Sequence, residues 1–349
     1  MQQCKVKLSK LKSELEREKQ KKKGTGEKWL LPKEENAQIT ILGLPNSGKT
    51  ALVNYLSGAN YTEGNFDFTT SKPQAGTLDV KGARLQLVDL PALIEGSSNG
   101  LANGTKVLTS VRNSDLAIIT IDLSSIIPPE KQFEMILKEL NHANLKLNVK
   151  QPQVTFEKVG AGGRQVYRGD YFLNGGKEAV EEILVQHGFI NAIVRFYGPT
   201  TIDELLDCFN KSLTRVRCLI FCTKGDLPGS ANAYRIFVEY LKSNHDDRFP
   251  VIPFSTKKGD IDVPEIGEKI FSELQMVRVF TRTEGGHVAD KPLVVSQGAT
   301  IKAVIEYVSK KMLKTFRFAR VYGSSVKFSG ERVGLDHVLN DMDQVTIYS

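Results

Sequence analysis

The sequence lacks any apolar run approaching the roughly 20 residues that a membrane-spanning helix needs. Its N-terminal segment is charged and lacks the apolar stretch of a secretory signal peptide. Cysteine is scarce: Cys4, Cys208, Cys218 and Cys222 have no zinc-ligand spacing, and the last two fall in a strand-like run. We therefore expect buried, reduced thiols rather than a metal site, in a cytoplasmic protein without a membrane partner.

The composition that remains is that of an ordinary soluble protein. The chain has 349 residues, 40% hydrophobic and 25% charged, which suggests two or three domains. Its formal charge of +7 is unevenly distributed, because residues 1–28 contain ten Lys and Arg against four Glu. The rest of the chain therefore carries a net charge of +1, and the basic character belongs to an N-terminal arm.

Within this arm, apolar residues recur at helical spacing and precede a run of lysines. The apolar residues are Cys4, Leu8, Leu11 and Leu15, and the lysines are Lys21, Lys22 and Lys23. One interpretation is a solvated helix that docks through its leucines. The other is an arm that contacts RNA phosphates.

The strongest motif is GLPNSGKT, Gly43 to Thr50, which follows a strand-like run and precedes a helix-like stretch. Its spacing is that of a phosphate-binding loop, in which backbone N–H groups turn inward to hold phosphate oxygens. Gly43 and Gly48 would supply the bends. Lys49 would place a positive charge on the β- and γ-phosphates, and Thr50 would offer its hydroxyl to Mg²⁺. The alternative is a glycine-rich turn that binds nothing.

From Gln38 onward, predicted strands and helices alternate, which indicates a mostly parallel sheet covered on both faces. Further motifs lie in the loops, most of them at strand ends, where open α/β sheets bind ligands. In chain order they are FDFTTSK (66–72), DLPALIEG (89–96), TKGD (223–226) and the serine loop 255–257. The alternation weakens between about 146 and 215, which we interpret as an insertion. Within it, the stretch 160–176 predicts a strand pair and 178–187 a helix.

The order of these motifs suits a guanine nucleotide, and Asp226 is the selective residue. Its carboxylate can accept from both N1–H and the exocyclic amine of guanine, whereas adenine presents neither donor there. Lys224 would lie along the base, and backbone N–H groups near Thr256 would meet the guanine O6. Each string alone is weak, but their succession along the chain is a strong indication.

The C-terminal segment, about 277–349, has its own alternating pattern, with a helix predicted at 301–312 and strands at 318–322 and 345–348. It contains a basic cluster with a single acid, Glu306. The cluster comprises Lys302, Lys310, Lys311, Lys314, Arg317, Arg320 and Lys327. Both a basic interaction face and a solvated surface fit this pattern.

The chain resembles the Obg-like GTPases, and within them the developmentally regulated GTP-binding proteins, over nearly all of its length. The strings that carry the resemblance are GTGEKW, GLPNSGKT, DFTT, KGARLQLVDLPALIEG and VYGSSVKFSGERVGLDHVLNDMDQVTI. The resemblance implies an α/β fold: a doubly wound P-loop GTPase sheet with a small α/β insertion, a basic N-terminal helical arm and a C-terminal β-grasp (TGS) domain. The domains would be the arm at 1–36, the GTPase domain at 37–276, interrupted at about 146–215, and the TGS domain at 277–349.

The same resemblance implies partners and site residues. Ribosome or RNA would be the partner, with a stabilising regulatory protein as a further candidate and no DNA. Lys49, Thr70 and Asp89 are the catalytic candidates, and Thr50, Thr70 and Asp89 would hold Mg²⁺, the last through water. The nucleotide-binding set is Gly43, Leu44, Pro45, Asn46, Ser47, Gly48, Lys49, Thr50, Ala51, Phe68, Thr69, Thr70, Asp89, Leu90, Pro91, Ala92, Thr223, Lys224, Asp226, Ser255, Thr256 and Lys257.

Several positions depart from the family pattern. Ala92 replaces the glycine of the aspartate turn, and its Cβ resists the positive-φ conformations that glycine allows. Thr223 replaces an asparagine and lacks the amide that ties the base to the phosphate loop, and Thr256 replaces an alanine. Leu93 stands where Ras-type GTPases place the glutamine that orients the attacking water.

Asn46 suggests a substitute for the missing glutamine. The resemblance to potassium-activated GTPases rests on an asparagine at this position, whose side-chain oxygen could help hold K⁺ against the phosphates. The alternative is that Asn46 only stabilises the loop through local backbone hydrogen bonds.

Together these features favour a translation- or ribosome-associated GTPase that slowly converts GTP to GDP and phosphate. One alternative is a nucleotide-sensing module that binds RNA or the ribosome with little or no turnover. Another is an RNA-binding protein whose nucleotide domain is a relic.

Overall fold

A computed structural model describes residues 29–61, 72–245, 247–257 and 262–349 and, at position 102, the main chain only. The basic arm at 1–28 and the threonine loop with Phe68, Thr69 and Thr70 lie outside these residues. The described residues form three sheets of seven, five and three strands, each packed against helices.

The largest sheet contains β1, β2, β3, β4, β5, β9 and β10. Their bounds are Ala37–Gly43, Gln74–Val80, Ala83–Asp89, Leu116–Asp122, Leu145–Leu147, Thr214–Thr223 and Val251–Pro253. The order is β10-β9-β4-β1-β3-β2, with β5 beside the first part of β9. All pairings are parallel except that of β2 with β3, so the expectation of a mostly parallel sheet is confirmed.

Apolar residues on both faces place this sheet at the centre of the fold. All residues of β1 and β4 are buried, and neighbours such as Ile41 and Leu42 belong to cores on opposite faces. The Leu42 face packs against α2 (Gly104–Asn113), α3 (Pro129–His142) and α7 (Ser230–His245). The Ile41 face packs against α1 (Lys49–Ser57) and α8 (Val263–Glu273).

The inserted segment leaves the sheet at the end of β5. There the side chain of Asn148 is hydrogen-bonded to the backbone of two other segments. Its side-chain amide donates to the carbonyls of Cys218 and Arg248, both at 2.8 Å, and its side-chain oxygen accepts from the Cys218 N–H at 2.7 Å. The segment then forms β6, β7 and β8 with α4, α5 and α6. Their bounds are Val154–Lys158, Arg164–Tyr167, Ala192–Phe196, Gly169–Phe172, Gly176–Gln186 and Ile202–Phe209.

The three strands have the order β6-β8-β7, and this arrangement corrects one prediction. The strand pair expected within 160–176 does not form, because β7 pairs with the distant β8 instead. Arg168 adopts φ 62° at the end of β7, in the left-handed region, and the chain turns directly into α4. The helix predicted at 178–187 is present as α5.

The C-terminal sheet has the order β12-β11-β15-β13-β14 and is covered by α9 and α10. These elements are Met276–Thr281 (β11), Leu293–Ser296 (β12), Ile301–Val308 (α9), Met312–Thr315 (α10), Phe318–Tyr322 (β13), Glu331–Val333 (β14) and Asp343–Tyr348 (β15). The prediction of a single helix at 301–312 is wrong. It ends at Val308 because Ser309 adopts an extended backbone with φ −165°, and a short second helix follows.

Arg278 of β11 connects this C-terminal sheet to the large one. Its guanidinium donates to the Val80 carbonyl of β2 at 3.1 Å and forms ion pairs with Glu268 at 2.9 Å and Asp341 at 2.6 Å. The side chain is 3% exposed. Burial acts to lower the pKa of Arg278, but the hydrogen bonds and charges of its two carboxylate partners outweigh burial and raise the pKa. This buried contact ties β2 and α8 to the C-terminal sheet.

Three of the four cysteines lie in the described residues, all as free thiols, and Cys208 is half-buried rather than buried as expected. Cys218 and Cys222 are buried without a disulfide, and burial raises the pKa of both thiols, as expected of reduced core cysteines. Cys4 lies outside the described residues. In the described part of the chain, no helix is both long and apolar enough to cross a membrane. The domain boundaries stay predictions.

Candidate functional site

The phosphate loop connects β1 to α1, and two glycines determine its shape. Gly48 has φ +83°, in the left-handed region that favours glycine, and lies at the N-terminus of α1. A Cβ at Gly43 would lie 2.3 Å from Thr120 Oγ1 on β4. The same hydroxyl lies 2.7 Å from Ser47 Oγ, so side-chain contact also joins the loop to β4. The loop is thereby held against the end of the sheet.

Lys49 begins α1 and is buried although it can carry a charge. Its Nζ donates to the Leu44 carbonyl at 2.9 Å and lies 3.4 Å from the Gly43 carbonyl. Burial lowers the pKa of Lys49 to about 8, while the nearby Asp89 carboxylate acts in the opposite direction. A buried amine at a helix N-terminus suits a polyphosphate, whose negative charge would favour its protonated form.

Thr50 and Asp89 form the candidate Mg²⁺ site. Asp89 is the fully buried last residue of β3, and Thr50 Oγ1 donates to its Oδ2 at 2.6 Å. Hydroxyl and carboxylate oxygens are hard ligands, and Mg²⁺ commonly completes its shell with water and phosphate oxygens. The chemistry of this pair therefore fits Mg²⁺. Thr70, the other predicted ligand, lies outside the described residues.

The turn after Asp89 folds back onto the phosphate loop. The Leu93 N–H donates to the Gly43 carbonyl at 3.1 Å, and the Leu93 side chain is 1% exposed within the apolar core. Ala92 has a negative φ, so its Cβ causes no backbone strain in this conformation. A core leucine therefore occupies the place of the water-orienting glutamine of Ras-type GTPases.

A carboxylate on α3 holds the segment that follows this turn. Glu139, 4% exposed, accepts from the N–H of Gly96 at 2.9 Å and of Ser98 at 2.7 Å. Burial alone would raise the pKa of Glu139, but the hydrogen bonds from Ser98 and Gly96 outweigh it and lower the pKa. Opposite this contact, a Cβ at Gly104 would approach the Ser97 carbonyl oxygen to 2.2 Å, so α2 packs directly on the same segment.

The TKGD motif begins at the last residue of β9 and lies beside the loop after β10. Asp226 Oδ1 accepts from Ser255 Oγ at 2.6 Å, which orients the carboxylate predicted to contact guanine. The backbones are joined as well, because the Gly225 N–H donates to the Phe254 carbonyl at 3.2 Å. The two motifs that would bind the base therefore act as one unit.

Lys224 is held by a residue that the sequence motifs did not include. Its Nζ donates to Asp122 Oδ2 at 2.6 Å, and Asp122 Oδ1 accepts from the N–H and hydroxyl of Ser124, both at 2.8 Å. The Asp122 backbone is bonded in both directions to the side-chain amide of Gln132 on α3, at 3.0 and 2.8 Å. The lysine predicted to lie along the base is thus held by a carboxylate with a defined position.

Thr223 contacts the phosphate loop through its side-chain hydroxyl. Its Oγ1 lies 2.9 Å from the Ser47 carbonyl oxygen and 3.1 Å from that of Ile121, and the hydroxyl proton can be donated to either. The hydroxyl therefore joins the motif to the phosphate loop at a position where the family pattern has an asparagine amide. The loop approaches closely at Gly48, where a Cβ would lie 3.4 Å from Thr223 Cγ2, so a short side chain suffices.

The structure brings most of the predicted site residues to one end of the large sheet. They are Gly43, Leu44, Pro45, Asn46, Ser47, Gly48, Lys49, Thr50, Ala51, Asp89, Leu90, Pro91, Ala92, Thr223, Lys224, Asp226 and Ser255. Thr256 and Lys257 follow Ser255 and are exposed. Asn46 has φ +59° in the phosphate loop. The roles of these residues, and of the undescribed Phe68, Thr69 and Thr70, stay predictions.

Two residues that shape the site were missed by sequence reasoning. Asp122 could have been found, because it ends a buried strand at the same end of the sheet as Asp89. Glu139 had a weaker signal: it is a polar residue among the buried positions of α3, seven places after the buried Gln132.

Residues 38–157 match the family of 50S ribosome-binding GTPases, and residues 277–349 match the TGS domain family. The chain is 31% identical over 321 residues to an uncharacterized GTP-binding protein of Methanocaldococcus jannaschii, covering 91% of this chain and 80% of that protein. It is 30% identical over 331 residues to the developmentally-regulated GTP-binding protein 1 homolog of Dictyostelium discoideum, with coverage of 93% and 85%. Ribosome-interacting GTPase 1 of Saccharomyces cerevisiae is 27% identical over 314 residues, with coverage of 89% and 82%.

Proposed function

The chain belongs to the family of developmentally regulated GTP-binding proteins, and from this premise we propose that it hydrolyses GTP slowly to GDP and phosphate as a ribosome-associated regulatory GTPase. The observation that carries the proposal is the cluster of Lys49, Thr50 and Asp89 at the end of the phosphate loop, with Thr50 Oγ1 2.6 Å from Asp89 Oδ2. This cluster combines a cation with two oxygen ligands at a helix N-terminus, which suits a metal-bound triphosphate.

In this proposal, the phosphate loop and Lys49 bind the β- and γ-phosphates, while Asp226, oriented by Ser255, selects guanine. Thr50 and Asp89 would hold Mg²⁺, which would supply positive charge to offset the negative charge of the reacting group. Water adds to the γ-phosphorus, the bond to the β–γ bridging oxygen breaks, and the electron pair leaves with GDP. The proton of the water ends on phosphate.

The proposed rate is slow because the residue at the position of the Ras-type glutamine cannot form a side-chain hydrogen bond. Leu93 occupies that place and is buried in the core. This same observation supports a second candidate function, a nucleotide sensor with little or no turnover. The two candidates share the binding chemistry and differ only in whether water is positioned for attack.

Calorimetric titration with GTP, GDP and ATP in the presence of Mg²⁺, followed by phosphate release over many hours at saturating GTP, tests this function. We expect binding of both guanine nucleotides, much weaker binding of ATP, and slow accumulation of phosphate. Guanine binding without phosphate release, alone and with added ribosomes, would favour the sensor. Equal affinity for ATP and GTP would contradict both candidates.

We further infer that the chain works in the cytoplasm, on ribosomes or RNA, with a regulatory protein as a possible second partner in this scheme. A relative is named for interaction with the ribosome, and the C-terminal basic cluster supports the same role, because all of its members are exposed. The cluster is Lys302, Lys310, Lys311, Lys314, Arg317, Arg320 and Lys327.

Deletion of residues 1–28 tests the contribution of the basic arm. The deletion should weaken RNA or ribosome binding and flatten its salt dependence, because the slope scales with the number of phosphate contacts. GTP affinity should change little and provides the control. An unchanged salt slope would assign the arm to packing within the protein.

A further inference from the structure

The two faces of the C-terminal sheet have different surroundings. On one face, residues such as Ala319 and Val321 are buried against α9 and α10. The opposite face is divided. Its β11–β12 part meets the large sheet, because Met276 and Val294 pack against the core that α1 and α8 cover. The part formed by β15, β13 and β14 is accessible.

The strand register shows which residues form this accessible part. Arg320 of β13 lies opposite Arg332 of β14 and Thr346 of β15, and residues two positions away on each strand share its side. Arg282 follows β11 and reaches the same side, where its Nη1 donates to Gln344 Oε1 at 3.2 Å. Arg320 and Arg332 are exposed. We call this surface the arginine face, and its members are Arg282, Phe318, Arg320, Tyr322, Arg332, Gln344, Thr346 and Tyr348.

Each arginine of this face lies beside an aromatic ring of the same face. The distances from the guanidinium carbon to the ring centre are 4.0 Å for Arg332 and Phe318, 4.2 Å for Arg282 and Tyr322, and 5.9 Å for Arg320 and Tyr348. The rings of Phe318 and Tyr348 are themselves stacked at 4.5 Å. A ring attracts the plane of a guanidinium and restricts its rotation, but it does not use the N–H groups at the edge. Those N–H groups can therefore bind an anion.

The charge of the arginine face has one sign. The acids of its strands, Glu331 and Asp343, lie opposite Val321 and Val279 and so belong to the covered face. Among the residues that the structure describes, none of the three arginines forms an ion pair with a carboxylate.

Two of the arginines also lie directly opposite each other on neighbouring strands. Like charges in the positions of Arg320 and Arg332 repel and destabilise the strand pair. A bound anion would remove this repulsion, so the surface is complementary to a ligand with several negative charges.

The aromatic side chains favour RNA over an acidic protein as that ligand. Protein interfaces depend on apolar or aromatic anchors that fit into pockets, whereas Phe318, Tyr322 and Tyr348 are half-buried beside the arginines. Nucleic-acid interfaces are more polar and more positively charged. Sheets that bind RNA take up unpaired nucleotides, whose bases stack on rings or on guanidinium planes.

We propose that the arginine face binds single-stranded RNA, with the three guanidinium groups contacting its phosphates and its bases. The proposal deepens the ribosome or RNA association proposed above and rests on it, but it does not depend on GTP hydrolysis. The basic cluster predicted from the sequence includes Arg320 but neither Arg282 nor Arg332. These two come from separate segments, after β11 and on β14, and only the folded sheet brings them together.

The test measures fluorescence anisotropy of a short labelled oligouridine with the full-length protein at several salt concentrations. Arg282→Gln, Arg320→Gln and Arg332→Gln should each weaken binding by roughly threefold to tenfold and lower the salt slope by about 0.7, the value for one single-stranded phosphate contact. Arg235→Gln is the matched control, because Arg235 is exposed on α7 of the large sheet and its loss removes the same charge. The control should bind like the native protein.

A charge-conserving variant separates phosphate contact from loss of structure. Arg332→Lys should keep the native salt slope, because the charge remains, and should lose less affinity than Arg332→Gln. Some loss is expected because an ammonium lacks the planar fork of the guanidinium. A slope as low as that of Arg332→Gln would show that the residue acts through packing and would contradict the proposal. Thermal unfolding of each variant confirms folding.

Native affinity and salt slope in the variant with all three glutamines, or an equal loss in Arg235→Gln, would overturn the proposal. If the triple variant loses binding of labelled polyglutamate but keeps oligouridine binding, the arginine face binds an acidic protein and the proposal is wrong. If the native chain binds no oligouridine, the proposal fails together with direct RNA association. GTP binding and phosphate release remain separate readouts of the proposed GTPase.

Discussion

Two adjoining parts of the candidate nucleotide site, the phosphate loop with its predicted metal ligands and the turn after Asp89, are built from different kinds of side chain. The first presents Lys49 and Thr50 at a helix N-terminus, with Thr50 bonded to Asp89. The second turns Leu93 into the core and bonds its backbone to the phosphate loop. If the proposed function is right, the residues that bind the triphosphate differ from those that would position water, and each set can be altered without the other.

The largest expected effect is on GTP affinity and comes from changing Asp226, the residue predicted to contact the guanine base. Asp226→Asn replaces an acceptor with an amide and should lower GTP affinity by roughly 10-fold to 100-fold or more, because each unpaired buried polar group costs about 1–3 kcal/mol. Affinity for xanthosine triphosphate should rise in return. Calorimetry with both nucleotides measures the exchange, with Ser255→Ala as a milder control that removes only the contact orienting Asp226. A native-like preference for GTP in Asp226→Asn would refute the assignment.

A smaller effect should come from placing a cation beside the phosphates, where water attacks. Replacing Na⁺ by K⁺ at constant ionic strength should raise phosphate release by about tenfold, because a cation beside the phosphates offsets developing charge as an arginine finger does. The gain should be lost in Asn46→Ala, whereas GTP affinity should change little. Equal turnover in the two salts, or a full potassium response in Asn46→Ala, would mean that activation comes from a partner protein.

The pH dependence of GTP binding tests whether Lys49 contacts the phosphates. Its pKa is about 8 because burial lowers it, with Asp89 acting in the opposite direction, and a bound triphosphate favours the charged form. Above about pH 8, GTP binding should therefore take up a proton, and affinity should fall by up to about tenfold per pH unit. Calorimetry in buffers of different ionisation enthalpy detects the proton. Lys49→Arg, which stays charged, should show no uptake; persistent uptake there would implicate another group.

The smallest effect is expected at the contact between the base motif and the phosphate loop. Thr223→Val removes the hydroxyl bonded to Ser47 and Ile121 with little change in shape, and the loss of about 1 kcal/mol corresponds to roughly fivefold in GTP affinity. Thr223→Ser keeps the hydroxyl and should bind like the native protein. Native affinity in Thr223→Val would show that this contact does not support binding.

Sequence reasoning placed the elements correctly where the information is local. The phosphate loop, Asp89 and the TKGD motif are short strings at strand ends, and the parallel sheet that joins them follows from alternating strands and helices. It failed where the contact joins distant segments. Glu139 bonds to residues 43 and 41 positions earlier, and β7 pairs with β8 across an intervening helix pair.

Reasoning from single motifs also missed side-chain contacts that depend on how the elements pack. Thr223 lacks the amide of the family's asparagine, but the absence of a side chain at Gly48 lets its hydroxyl reach the phosphate loop. Asp122 carried the same strand-end signal as Asp89, yet its pairing with Lys224 depends on β4 and β9 being neighbours in the sheet. Neither contact can be derived from one motif alone.

In the function that we propose, the chain binds GTP selectively but hydrolyses it slowly when no K⁺ or partner is present. Single-turnover phosphate release from GTP prebound with Mg²⁺, followed in Na⁺, in K⁺ and with added ribosomes, tests it most directly. The account predicts selective GTP binding, slow release in Na⁺ and faster release when K⁺ or ribosomes are present. Rapid release in Na⁺ by the protein alone, or no detectable GTP binding, would contradict it.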